Sequence, residues 1–316
     1  MKKFSNTKMR ELENAMSAIE AATQKDEDAK KRKARQQLYR SLGYPDDGKY
    51  LAELAKNPDF GPNFSVSGWV IDTLLDGKIS EEDFIKVVPR CYFDAEDEER
   101  LVQAIANGKL SLELFYQLID CSKLLHSSLN PIFQAALDKK LPAEVFSVAI
   151  EKHCVECENQ SFIVKAYLMG LISIKDMEKL INSFYFDCDS EQEIIDTIVK
   201  EKKSVDLLMP FLGEYYLLQE KSRQLLIAYV TEGELPFSLI LQQRNFCEYW
   251  YEEAALPVCK AVQQGKLSVD MLKELVDRGE KFFSDIAWRE LFKSGYDFCV
   301  IPYLKEFYPE LLFKVQ

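Results

Sequence analysis

Ala104–Phe115 reads AIANGKLSLELF, and this stretch decides the fold because versions of it keep returning along the chain. An apolar helix end runs into Gly108; one polar residue, one apolar residue and Ser111 follow, and a new helical run opens at Leu112. Glycine accepts the left-handed backbone that ends a helix, having no Cβ to clash. A serine three residues later accepts from the unsatisfied amides of the next helix through its hydroxyl. The same pattern stands as LLDGKISEEDF at Gly77, AALDKKLPAEVF at Lys139 and AYLMGLISIKDM at Gly170. It returns as IVKEKKSVDLL at Glu201, AYVTEGELPFSL at Gly233 and AVQQGKLSVDML at Gly265, with LFKSGYDFCV at Gly295 a degenerate eighth. The intervals from Gly77 to Gly265 are 31, 31, 31, 31, 32 and 32 residues. A fixed period of this length marks tandem structural units.

Between junctions each unit has room for two helices. The first is expected to run from the capping residue for roughly 11–13 positions, with Leu112, Phe115, Leu118 and Ile119 on one apolar stripe. The second runs up to the glycine, as in EERLVQAIANG and QSFIVKAYLMG. Ser80, Ser111, Ser173, Ser204 and Ser268 are the expected caps, with Asp83 and Asp176 forming an acidic variant of the capping box. Pro142 and Pro236 take the serine position, where a first-turn residue needs no amide. Lys139 and Glu201 stand where glycine is usual, so those two ends are expected to be weaker. Neither helix hides its apolar face alone, whereas stacked pairs do. The expected fold is all-α: about seven tandem helix–turn–helix units stacked as an α-solenoid-like array over residues 69–316, closed by a capping helix in IPYLKEFYPELLFKVQ. The period is short of the ~34 residues of tetratricopeptide units, whose W, LG and Y pattern is absent.

Residues 1–43 have a different character. Met9, Leu12, Met16 and Ile19 are spaced for a narrow helical seam, and KDEDAKKRKAR follows without an apolar stripe. Lys30, Lys31, Arg32, Lys33 and Arg35 form a basic patch suited to a solvated helix face, a nuclear-import address or a nucleic-acid contact. Residues 44–68 gather proline and glycine into a loop-rich joint with a short helix at Lys49–Lys56. Residues 1–40 hold 11 Lys and Arg against 6 Asp and Glu, a net of +5, and the rest of the chain 29 against 46, a net of −17. An overall charge of −12 argues against phosphate binding over most of the surface. No run approaches a membrane span, and MKKFSNTKMREL lacks the apolar core of a secretory signal. Eight cysteines without an export signal fit reduced thiols and a cytoplasmic setting.

Chemistry has little material to work with. Two histidines leave scant scope for histidine-based catalysis, and no phosphate-binding loop, dinucleotide fingerprint or HExxH occurs. His153-Cys154-x-x-Cys157 is the best metal candidate, but it lacks a second ligand pair, and the cysteines recur near the ends of first helices as small core residues. The expectation is therefore no catalytic residue, no resident metal and no cofactor. Aromatic residues beside acids are more suggestive: Tyr92 and Phe93; Tyr185, Phe186, Asp187 and Asp189; Tyr215 and Tyr216; Tyr249 and Trp250. Their positions within successive units would line one edge of a stack, and aromatic rings rimmed by carboxylates suit a basic protein partner. The expected function is a protein-binding scaffold, adaptor or inhibitor. The alternatives are nucleic-acid-directed action, through the basic patch or through an acidic body that mimics DNA, and an enzyme of unfamiliar type. No membrane partner is expected.

Overall fold

The computed structural model of the protein describes residues 48–56, 67–124, 126–183, 185–213, 216–242 and 247–279, with isolated helical positions within 30–37 and 305–309. The architecture is all-helical, and no strand occurs among the described residues. Contacts divide the chain into two compact units, residues 1–128 and 129–316.

In the first unit, α1 (Lys49–Lys56) coincides with the short helix expected there. It packs on α3 (Glu81–Val87), while α2 (Ser67–Leu75) packs on α4 (Ala95–Ala106). In turn α3 meets α5 (Leu112–Asp120). The second unit contains α6 (Asn130–Leu137), α7 (Glu144–Glu151), α8 (Gln160–Leu168), α9 (Ile174–Ile181) and α10 (Cys188–Lys200). It continues through a 3-10 segment (Val205–Leu212), α11 (Glu220–Thr231), α12 (Ser238–Gln242), α13 (Cys247–Gln263) and α14 (Val269–Gly279). Here α6, α8, α10, α11 and α13 touch in that order, and α7, α9 and the 3-10 segment form a parallel series.

The junctions show why the recurring pattern makes helix ends. Gly77, Gly108, Gly170, Gly233 and Gly265 all have φ between 68° and 79°. At Gly108 the amide donates to the Ile105 carbonyl at 2.9 Å and the Lys109 amide to Ala104 at 2.8 Å, the double closure that satisfies two end-of-helix carbonyls. Ser80, Ser111 and Ser173 then cap α3, α5 and α9 through their hydroxyls. The acidic capping box is altered at Asp176, whose carboxylate accepts from the Ser173 hydroxyl at 2.8 Å rather than reaching back to the cap's amide.

Three expectations need correcting. The left-handed residue of the fifth junction is Lys202 (φ 53°), not Glu201, because the Lys203 amide closes onto Ile198. Ser204 consequently follows only two residues later and introduces a 3-10 segment instead of an α-helix. The first helices are also shorter than expected: α3, α5, α7 and α9 span 7, 9, 8 and 8 residues. In two of them the stop is a non-glycine left-handed residue, Ser122 (φ 52°) after α5 and His153 (φ 54°) after α7. Finally, Pro142 and Pro236 precede their helices, which open at Glu144 and Ser238, instead of standing in the first turn.

The interior is built from large side chains. Phe84, Phe115, Phe133, Phe146, Tyr167 and Phe211 are fully buried, each ring stabilising the fold by about 1.5–3 kcal/mol through the water it sheds. Pairs such as Phe133–Phe146, with centroids 5.0 Å apart, add directional packing within the second unit.

A candidate interaction groove

The aromatic residues singled out from sequence separate into two groups. Phe93, Phe186, Tyr216 and Trp250 are interior and cannot meet a partner in this structure. Phe93 stacks on Phe84 with centroids 6.3 Å apart. Phe186 and Tyr216 each meet Phe211 at 5.5 Å, and the Trp250 indole N–H donates to the Ile240 carbonyl at 2.6 Å. These four positions are corrected from surface to core, since helix corners leave gaps that large rings fill. Tyr92 (82% exposed) and Tyr185 (70% exposed) stand in solvent instead. Tyr215 and the Tyr249 side chain lie outside the described residues. Of the basic patch, Lys30 and Lys33 are exposed helical positions, while Lys31, Arg32 and Arg35 lie outside.

Extended backbone explains the division. Phe186 leads into Asp187, which has φ −72° and ψ 164° and caps α10 by accepting from the Ser190 amide at 2.7 Å. Successive side chains of an extended segment point to opposite sides, so burying Phe186 turns Tyr185 outward. The Tyr185 ring still packs against Tyr216, with centroids 5.6 Å apart and planes tilted by 33°. Asp189 is exposed in the first turn of α10, where a carboxylate complements the helix dipole.

Tyr185 stands at a groove of about 380 Å³ whose walls include Ile150, His153, Val155, Glu156, Cys157 and Leu180. Two sequence candidates thus converge, for the His153–Cys157 segment and Tyr185 share one depression. They do not form a metal centre. Cys154 is buried while Cys157 is exposed, and among the described residues no three His, Cys, Asp or Glu side chains gather to hold an ion. Burial raises the Cys154 thiol above its ordinary pKa, and a hydrogen bond to Glu158 raises that of Cys157, so neither is tuned toward the reactive thiolate. The cysteine positions at first-helix ends are not uniformly core: Cys91 is buried and pushed up to about 12 by desolvation, whereas Cys121 is exposed.

A buried polar network supports the groove from behind. The Tyr216 hydroxyl donates to Glu191 at 2.6 Å and accepts from the Phe186 amide at 3.1 Å. The Gln219 amide donates to the other Glu191 oxygen at 2.9 Å, and the Gln219 side chain donates to the Phe186 carbonyl at 2.9 Å. Burial raises the Glu191 carboxyl above its usual range against the lowering effect of these donors, and it raises the Tyr216 phenol as well. Sequence reading missed Glu191 as a structural residue, because a buried glutamate one turn into a helix looks like any solvated acid. It also missed the groove walls Ile150, Val155 and Leu180, which lie on three separate segments.

Exposed carboxylates accompany Tyr185: Glu156 in the groove wall, and Asp187 and Asp189 two and four residues along the chain. The arrangement presents an accessible phenol ring, an apolar wall and negative charge. Among the described residues no helix is long and apolar enough to cross a membrane. Comparison of the chain with protein-family models, with curated proteins and with solved structures finds no match.

Proposed function

We propose that this protein is a non-catalytic, protein-binding scaffold whose helical pairs are tandem repeats stacked as an α-solenoid-like array, and that a basic partner docks on the acidic-aromatic groove at Tyr185. The observation that carries the proposal is the Tyr185 ring, held 70% exposed at the mouth of a groove and followed by two exposed carboxylates, Asp187 and Asp189. An accessible tyrosine ring at a groove mouth, rimmed by carboxylates, has the composition of an interface contact point for a basic partner. The repeat arrangement is supported by the near-constant spacing of the left-handed junctions and by the order in which α6, α8, α10, α11 and α13 touch.

The test is affinity capture from the native cell with mass spectrometry, using the wild-type chain, Tyr185→Ala and Asp189→Lys. Asp189 is the better charge to reverse, because Asp187 caps α10 and its loss would damage the helix. Both variants should keep wild-type helicity by circular dichroism and lose the same captured proteins. Identical captured sets from all three chains would rule the groove out as the docking site.

A further inference from the structure

The chain has two histidines, and one of them stands in the groove. His153 is the residue at which α7 stops. Its φ is 54°, its amide donates to the Ile150 carbonyl at 3.1 Å, and the next amide, that of Cys154, closes onto Ala149 at 2.9 Å. Those two bonds fix the backbone, and from it the exposed imidazole joins Glu156, Cys157, Ser183 and Tyr185 in lining the groove.

Near neutrality the charge of this lining turns on that one ring. Imidazole is the side chain that ordinarily changes charge between about pH 5 and 8, whereas carboxyl groups titrate below that range and phenols above it. The Cys157 thiol is raised by its hydrogen bond to Glu158, which favours its neutral form. The elements packed on α7 bring no second imidazole. α6 carries no ionisable side chain. α9 carries Lys175, Asp176, Glu178 and Lys179, of which Lys179 pairs with Asp176 at 3.4 Å and none lines the groove. Glu151, Lys152 and Glu158 flank the loop of His153, and Asp187 and Asp189 follow Tyr185.

A site for a basic partner is sensitive to such a change. A charged imidazole repels the partner's cation and offers Glu156 a counter-charge from within the chain. In a water-exposed groove, one like charge at about 5 Å lowers affinity by about fourfold.

We propose that protonation of His153 weakens the docking of the basic partner, so that the groove holds it at neutral pH and loosens its hold under mildly acidic conditions. This regulation rests on the docking site proposed above. The probe is acetyl-Arg-Leu-Arg-Leu-Arg amide, whose guanidinium groups stay charged throughout. Its binding to the full chain is measured by calorimetry at about pH 7.5 and about pH 5.5 in physiological salt. Tyr185→Ala identifies the share of binding that belongs to the groove. Wild type should bind about fourfold more weakly at the lower pH. His153→Asn, uncharged and tolerant of positive φ, should keep its affinity across the range. His153→Lys should bind at the higher pH as weakly as wild type does at the lower; Lys139 and Lys202 already adopt this backbone in the fold. Circular dichroism checks that each variant retains wild-type helicity. Equal wild-type affinity at the two pH values, or a fall that persists in His153→Asn, overturns the switch and leaves the groove standing. Absence of Tyr185-dependent binding at the higher pH removes the groove, and the switch with it.

Discussion

At the scale of single residues, backbone geometry separates what was readable from what was not. Gly108 and Ser111 announce their roles because only glycine is at ease at φ 70° and a serine hydroxyl is a strong helix cap. Lys139 (φ 61°), Lys202, Ser122 and His153 adopt the same conformation without that chemical signature, so the ends of α5 and α7 were placed too late and the fifth junction one residue early. Such positions carry strain that glycine relieves, at roughly 1 kcal/mol each. Lys139→Gly and Lys202→Gly are therefore expected to stabilise the fold by about 1 kcal/mol in urea unfolding. Gly108→Ala should destabilise it by a similar amount, although nothing lies within 4 Å of the added methyl, because the penalty is purely conformational. A stabilising Gly108→Ala would contradict the geometry assigned to the junction. The exposed tyrosines were legible as aromatic-acid pairs, but their separation from buried Phe93 and Phe186 was not, since alternation along two or three extended residues is too short a pattern to read against a helical background.

Between elements, the helices that succeed one another in the second unit are tied by polar contacts about one period apart. Asn159 donates to Asn130 at 2.8 Å, the Asp187 amide to Gln160 at 2.8 Å, and the Gln219 amide to Glu191 at 2.9 Å. Arg223 on α11 grips Glu253 on α13 through two bonds of 2.7 and 2.6 Å. The apolar periodicity disclosed which faces pack, but these partners were hidden, because one sequence offers dozens of acids and amides and only the fold selects among them. Glu253→Ala should cost about 3 kcal/mol by leaving the buried guanidinium without a carboxylate and with only the Leu218 carbonyl as acceptor, whereas Arg223→Met combined with Glu253→Leu should recover most of that loss in thermal unfolding. Glu191 offers a pH test. Its carboxyl is raised above the ordinary value of 4.5, so the folded chain holds this proton more tightly than the unfolded one. The associated stability is complete below that value and is lost as pH climbs through the raised folded pKa. The stability of wild type relative to Glu191→Gln should therefore fall as pH is raised from 4.5 toward neutrality, and a difference that is flat or rising would show that burial does not dominate at this carboxyl.

Charge acts over the whole molecule, and it allows the contributions of acid and ring to be told apart. The period was visible in the sequence because chain neighbours pack on one another, while the division at residues 128 and 129 left no mark in composition. A chain with a net charge of −12 attracts a basic partner from a distance, an effect that counterions screen beyond about 8–10 Å at physiological salt. A ring makes its contribution only after contact. Asp189→Lys should then slow association with the captured partner by about tenfold and flatten its dependence on salt, with little change in the dissociation rate. Tyr185→Ala should leave association and its salt slope as they are, yet speed dissociation by about tenfold or more, the loss of roughly 1.5–2 kcal/mol usual for an aromatic contact at an interface. Surface plasmon resonance across a salt series reads all four quantities. If both substitutions altered only dissociation, long-range steering would have no part in binding; if both altered only association, the Tyr185 ring would not touch the partner at all.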